Sequence, residues 1–283
     1  DMLASYAIDR GDFATARTIT EQRLAVARQQ DHHLGVYHAL QTMGIISISE
    51  GDPARGEREL LESTRIAHLR GDTYAAAFNL HNLADAVFYQ GDVARAQALY
   101  EESHDLAREL NIIPLIHVNL LYLARLVYNQ GEYDTAGRLL AEAREFENEI
   151  GENQIGKWGL LSLIAFQAGD YAQACEHLCT AFSEEGLYLQ LHSHFRLPLV
   201  EAVVNLLVYT GRLVDAVHWL AFNEHHPTHD LLARNRLQTL AEKIEQALDA
   251  EVYAAAWERG QQIDAETLVE EFVAPVCLGR VLP

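Results

Sequence analysis

Apolar residues return every three to four positions through most of the chain, which is the spacing of one face of an α-helix. In residues 75–90, AAAFNLHNLADAVFYQ, the residues Leu80, Leu83, Ala84 and Val87 form one such stripe. Gly91 ends that helix, because glycine takes up a left-handed backbone at low cost. Asp92 starts the next one: its carboxylate accepts an amide hydrogen bond and its charge suits a helix N-terminus. The second helix runs from about 93 to 110, with Ala96, Leu99, Tyr100, Leu106 and Ala107 facing inward.

This unit recurs. Gly11-Asp12, Gly51-Asp52, Gly91-Asp92, Gly131-Glu132, Gly169-Asp170 and the variant Gly211-Arg212 place glycines 40, 40, 40, 38 and 42 residues apart. Five residues after each glycine stands a tiny residue: Ala16, Gly56, Ala96, Ala136, Ala174 and Ala216. A small side chain there lets the two helices of a hairpin approach closely. A period near 40 with helical flanks means a stacked array of helix hairpins. The fold class expected is all-α, a right-handed superhelical solenoid of about six hairpins with a helical C-terminal cap. First helices are expected near 36–50, 75–90, 115–130, 155–168 and 195–210, after the end of one in residues 1–10. Second helices are expected near 13–29, 53–70, 93–110, 133–150, 171–183 and 213–223. Pro114 sits in a linker, where it starts a helix. After Gly211 the period fades: residues 223–230 read as a loop, 230–248 as a helix, 249–260 as another ending at Gly260, and 264–275 as the last. The division expected is 1–227 for the repeat array, 228–275 for capping helices and 276–283 for a tail. Terminal repeats are atypical because one side faces water.

Of the residues, 49% are hydrophobic and 22% charged, enough apolar surface to fold. The formal net charge of -20 argues against direct nucleic-acid binding, which needs cationic surface to release counterions. No run of about 18 apolar residues is present, so no membrane span is expected. Cys175, Cys179 and Cys277 make no disulfide framework; Cys175 and Cys179, four apart on one helix, read as small buried apolar side chains. A reducing cytoplasm fits that usage. The chain opens inside a helix without a cap of its own, as an excised fragment would.

The pattern Leu83-Ala84, Tyr89-Gln90-Gly91-Asp92, Ala96 and Tyr100 resembles the tetratricopeptide repeat. The run from Gly91 through Ser103, the segment Leu106-Ala107-Arg108-Glu109-Leu110 and the closing Ala255–Gly260 and Leu268–Glu271 are similar to the long repeats of bacterial signal-transduction ATPases with numerous domains. That group includes large LuxR-type regulators akin to the maltose-regulon activator. The resemblance covers residues 1–274. Gly56 stands for the usual alanine and Arg212 for the usual acid, departures that loosen individual hairpins. The resemblance implies a sensor or interaction region in a larger signalling or transcription-regulating protein, with a nucleotide-binding module upstream.

Several apparent motifs lose their chemistry in context. Gly151–Lys157, GENQIGK, has the glycine and lysine spacing of a phosphate-binding loop. Trp158 stands where a magnesium-binding hydroxyl is needed, and the preceding segment is helical rather than a strand. It reads as an inter-repeat turn. The histidine groups His225, His226 and His229 beside Asp230, His192 with His194, and His32 with His33 form no closed four-ligand set. Carboxylate pairs such as Glu101-Glu102, Glu184-Glu185 and Glu270-Glu271 have no apolar cage. No nucleophile elbow or metalloprotease motif appears. The expectation is a non-catalytic module without cofactor or metal.

In stacked hairpins the first helices line the inner wall. Polar residues between the stripe positions, about ten, nine, six and two to three before each glycine, are expected to face a groove. They are Gln41 and Thr42; His81, Asn82, Asp85 and Tyr89; Tyr122, Arg125 and Asn129; Gln167; Glu201, Asn205 and Tyr209. The central group around Asp85 and Arg125 is the strongest candidate, with those two charges able to pair. Gly156, Gly159 and Leu160 make the fourth wall smoother, as for an apolar part of a ligand. Amides, aromatics and a few charges in a concave wall suit a peptide, protein or small effector. The alternative is an architectural or self-association module.

Overall fold

The computed structural model describes residues 2–150, 157–183, 193–224 and 231–272. Each helix of an array must end and reverse within two or three residues, and one backbone device does this at nine helix ends among the described residues, at Gly11, Asp31, Gly51, Gly71, Gly91, Asn111, Gly131, Gly169 and Gly211. At Gly91 φ is +89°; its amide donates to the Phe88 carbonyl at 2.9 Å, and that of Asp92 donates to the Val87 carbonyl at 3.3 Å. This pairing closes a helix C-terminus through a left-handed residue. The Asp92 carboxylate then accepts from the Arg95 amide at 3.2 Å, so one dipeptide finishes a helix and begins the next. Asp12, Asp52 and Asp170 cap in the same way. Glu132 makes no side-chain cap; its extra methylene carries the carboxylate past the amide.

The helices are α1 (Met2–Asp9), α2 (Phe13–Gln29), α3 (His33–Ser49), α4 (Pro53–Leu69), α5 (Thr73–Tyr89), α6 (Val93–Glu109), α7 (Ile113–Asn129), α8 (Tyr133–Glu145), α9 (Glu147–Ile150), α10 (Lys157–Gln167), α11 (Tyr171–Ser183), α12 (Ser193–Tyr209), α13 (Leu213–Glu224), α14 (Leu231–Ala247), α15 (Ala250–Gln262) and α16 (Ala265–Phe272). No strand occurs among the described residues. First helices α3, α5 and α7 start two or three residues earlier than expected, because the turns before them carry a second left-handed residue. These are Asp31 (φ +50°), Gly71 (+66°) and Asn111 (+54°), again 40 apart. The expected helix 133–150 breaks at Phe146. The expected stop at Gly260 is wrong: α15 continues to Gln262, and that glycine serves a close crossing instead. A Cβ there would lie 2.7 Å from the Cα of His218 on α13. The expected array boundary at 227/228 and the 276–283 tail lie outside the described residues.

The chain divides into two compact units, residues 1–126 and 127–283. In the first, second helices bury a single stripe, as α6 does with Ala96, Tyr100, Ser103 and Ala107. First helices do not. Of the 17 residues of α5, 13 are buried, because α5 packs on both α4 and α6 and also touches α3. The tiny residues after each turn are fully enclosed. Gly56 tightens its hairpin rather than loosening it: a Cβ there would meet the Gly44 carbonyl oxygen at 2.9 Å.

A buried polar staple ties successive hairpins together. Asn119 on α7 donates to Ser103 Oγ on α6 at 2.9 Å, and Ser103 donates to the Ala77 carbonyl on α5 at 2.8 Å. Forty residues earlier Asn79 donates to Ser63 at 2.9 Å and Ser63 to the Tyr37 carbonyl at 2.8 Å. The two staples differ at one atom. His81 Nδ1 lies 2.7 Å from Asn119 Oδ1, whereas the buried Asn79 Oδ1 has no donor. Gln41, the residue forty before His81, is half-buried on α3. In the second unit α10 crosses α12 at Gly159, where a Cβ would lie 2.5 Å from the Leu199 nitrogen. The wall expected to be smooth there is filled by backbone.

Two substitutions test this packing. Gln41→His supplies the missing imidazole donor to Asn79 and raises unfolding free energy in urea by about 1 kcal/mol, the worth of one buried hydrogen bond. Gly159→Ala forces a methyl against backbone that cannot rotate away, and lowers it by about 2 kcal/mol.

Candidate functional site

In the second unit the ends of three first helices come together. Asn129 and Gln167 each stand two residues before a turn glycine, and Glu201 and Asn205 stand ten and six before one, as the sequence positions them. Together with Tyr128 and Tyr133, and with Arg236, Thr239 and Lys243 from α14, they line a cavity of about 460 Å³. Four expected residues therefore share one site.

Arg236 dominates its electrostatics. Its Nε donates to Glu201 Oε1 at 2.6 Å and its Nη2 to Oε2 at 2.8 Å. Its Nη1 donates to Asn129 Oδ1 at 2.8 Å, and its guanidinium carbon lies 5.5 Å from the centre of the Tyr128 ring. This is a planar two-point fork on a carboxylate, with an aromatic face alongside. Glu201 is only 3% exposed, so its charge is tolerated by virtue of that fork. Burial, then the Glu201 charge, raise the Tyr128 phenol well above its ordinary range. Asn205 Nδ2 donates to the Glu201 carbonyl at 2.9 Å.

Two donors in this cavity are unspent. Asn129 Nδ2 is buried with no acceptor, and exposed Lys243 forms no ion pair with a described residue. Buried donors ordinarily find partners, so the cavity is prepared for an acceptor such as a carbonyl or carboxylate.

The central group expected to face a groove is placed differently. His81, Asp85, Tyr89, Tyr122 and Arg125 are all buried. Asp85 accepts a hydrogen bond from the Tyr100 hydroxyl, and Arg125 lies over the rings of Phe88 and Tyr122 at 4.6 and 4.8 Å. His81 packs edge-on to Tyr100 and Tyr122. Burial, then the Asp85 carboxylate, push both phenols far upward, so both stay protonated. The physical reason is the enclosure of α5 on several sides: positions between the stripe residues meet another helix rather than water. Gln41, Thr42 and Asn82 are half-buried, and Thr42 donates to the His38 carbonyl of its own helix at 3.0 Å. Tyr209 is exposed and stacks on Tyr171 at 3.8 Å between ring centres.

No family model matches the chain, and no curated protein matches it. Among solved structures it is similar to a tetratricopeptide repeat protein from Parabacteroides merdae, with a TM-score of 0.54 and 17% identity over 98% of this chain and 96% of that one. The fold is tetratricopeptide-like. At that identity the likeness speaks for the fold alone. Within this tetratricopeptide-like fold, Arg236 and Lys243 were missed by the sequence reading because they stand on α14, outside the period. The signal available for Tyr128 was the aromatic three residues before the glycine, shared with Phe88 and Phe166.

Residues 151–156 of the apparent phosphate loop, and His192, His225, His226 and His229, lie outside the described residues. Lys157 is buried and bonded to Glu147. His33 pairs with Asp31 at 3.3 Å. No group of three or more metal-ligating side chains forms among the described residues, and none of their helices is long and apolar enough to cross a membrane. Cys175 is buried and free, its thiol pushed up by burial. Cys179 is disulfide-bonded, which corrects its reading as a plain apolar side chain. The i,i+4 spacing missed it because the bond is not to Cys175.

Removing Arg236 strands a buried carboxylate. Arg236→Ala lowers stability by about 3 kcal/mol, and adding Glu201→Leu to it restores more than half of that loss, since the penalty lies in the unpaired charge. Urea unfolding of the two variants checks both values.

Proposed function

We propose that this chain is a non-catalytic interaction module that takes a peptide or protein segment against the inner wall of residues 127–283. The observation that carries this reading is the cavity at Asn129, Gln167, Glu201 and Asn205, with an orphaned buried amide donor and, beside it, a lysine that forms no ion pair with a described residue. A segment crossing this wall supplies the backbone carbonyls that both donors need. The acidic charge argues against nucleic acid as the direct partner. In residues 1–126 most of the expected groove residues, His81, Asp85, Tyr89, Tyr122 and Arg125, are buried among their own helices, and there we assign an architectural role.

The resemblance extends the proposal to a bacterial sensor or interaction region that reports to a signalling or transcription-regulating ATPase module elsewhere in a longer protein. We place it in the cytoplasm on that resemblance alone.

The test is selection of displayed random peptides on the immobilised chain, followed by titration of the winners against Gln167→Ala/Lys243→Ala. Affinity falls at least about tenfold, roughly 1.4 kcal/mol, with an unchanged melting temperature. Winners that bind the double variant as tightly as the parent chain overturn the site.

A further inference from the structure

The parts that recognise a guanidinium in this site and the guanidinium itself come from different elements. The carboxylate of Glu201 stands on α12, and the acceptor oxygen of Asn129 and the ring of Tyr128 stand at the end of α7. Helix α14 contributes only Arg236. Glu201 is more than nine-tenths buried, and both its oxygens meet one planar fork, a geometry that an arginine satisfies and a lysine does not. Receptor and occupant are therefore separable.

Helix α14 is also lightly held. Of its described side chains only Ala233, Leu237 and Ile244 are buried, whereas α12 buries Leu197, Leu199, Val200, Ala202, Val203, Val204, Leu206 and Leu207. Apolar burial is the main anchoring force for a helix, so the Arg236 fork adds to a small buried apolar anchor in keeping α14 on the wall. Elements with few buried apolar contacts open first. The chain's formal charge of -20 draws cationic segments toward it.

Building on the proposed peptide-binding wall, we infer that Glu201, Asn129 and Tyr128 form a receptor for an arginine side chain of a basic partner segment, and that α14 is its built-in competitor through Arg236. With Arg236 in place the site is occupied and apparent affinity is reduced by the fraction of chains in which α14 is engaged. When a partner arginine takes the Glu201 fork, α14 is released, and that release is the signal the wall transmits. The neighbouring cavity holds the rest of the segment, with Asn129 Nδ2 on α7 placed for one of its carbonyl groups.

The experiment uses the full chain and one defined probe, a fluorescent peptide copying residues 231–247, with a control peptide in which the arginine matching Arg236 is glutamine. Fluorescence anisotropy is measured against the parent chain, Arg236→Gln and Glu201→Gln/Arg236→Gln. The expected result is binding to Arg236→Gln at least about tenfold tighter than to the parent chain, with the gain absent in the double variant and in the control peptide. Equal binding to all three chains, or none to Arg236→Gln, overturns the inference. Should Arg236→Gln lose its helical circular dichroism, amide exchange on the parent chain decides. Saturating probe lowers protection across residues 231–247, and unchanged protection overturns the inference. If arginine proves dispensable while selected peptides still require Gln167 and Lys243, the wall binds segments and only its arginine specificity is lost.

Discussion

The hairpins depend on closing one helix through a left-handed residue and, at Asp12, Asp52, Asp72, Asp92 and Asp170, opening the next through the residue after it. Because the amide of Asp92 reaches back to Val87 while its carboxylate reaches forward to Arg95, no slack remains between the two helices. Their pairing is set before any side chain packs. The same closure at Asp31, Gly71 and Asn111 joins one hairpin to the next equally tightly. With both connections fixed, the small residue five positions after each glycine is forced to the crossing point, where only hydrogen or methyl fits.

That constraint explains which features were legible in the sequence. Helix existence, order and most boundaries follow from the glycine spacing, the caps and the stripe. The second left-handed position was equally present, but it is written in three residue types, Asp31, Gly71 and Asn111, rather than one. What unites them is tolerance of positive φ, not composition. Gly260 shows the opposite error: a glycine reads as a stop by default, yet here its lack of a side chain admits the backbone at His218. A one-dimensional pattern cannot distinguish glycine required for its backbone from glycine required for its volume.

The candidate site was half legible for a related reason. Counting back from each turn identifies residues on the same side of a first helix, but it does not say what lies opposite. For Asn129, Gln167, Glu201 and Asn205 the opposite side holds a cavity. For His81, Asp85, Tyr122 and Arg125 it holds neighbouring helices, and the same residue types become a core. Polar side chains in such an enclosure are stabilised where their hydrogen bonds are met. The chain from His81 through Asn119 and Ser103 to the Ala77 carbonyl meets them in sequence.

The two polar clusters thus solve the same electrostatic problem with different consequences. Asp85 is held by the hydroxyl of Tyr100, a residue of the adjoining helix within the repeat itself, so its carboxylate is hydrogen-bonded by a part that the array cannot release without unfolding. Glu201 is held by Arg236, from a helix added after the period has faded. A buried carboxylate imposes nearly the same demand in both places, a partner that is fixed and close. At Glu201 that partner stands on a helix outside the repeat, so the proposed recognition falls where the repeat pattern ends: a periodic wall supplies the proposed receptor, and an aperiodic helix supplies the side chain to be exchanged.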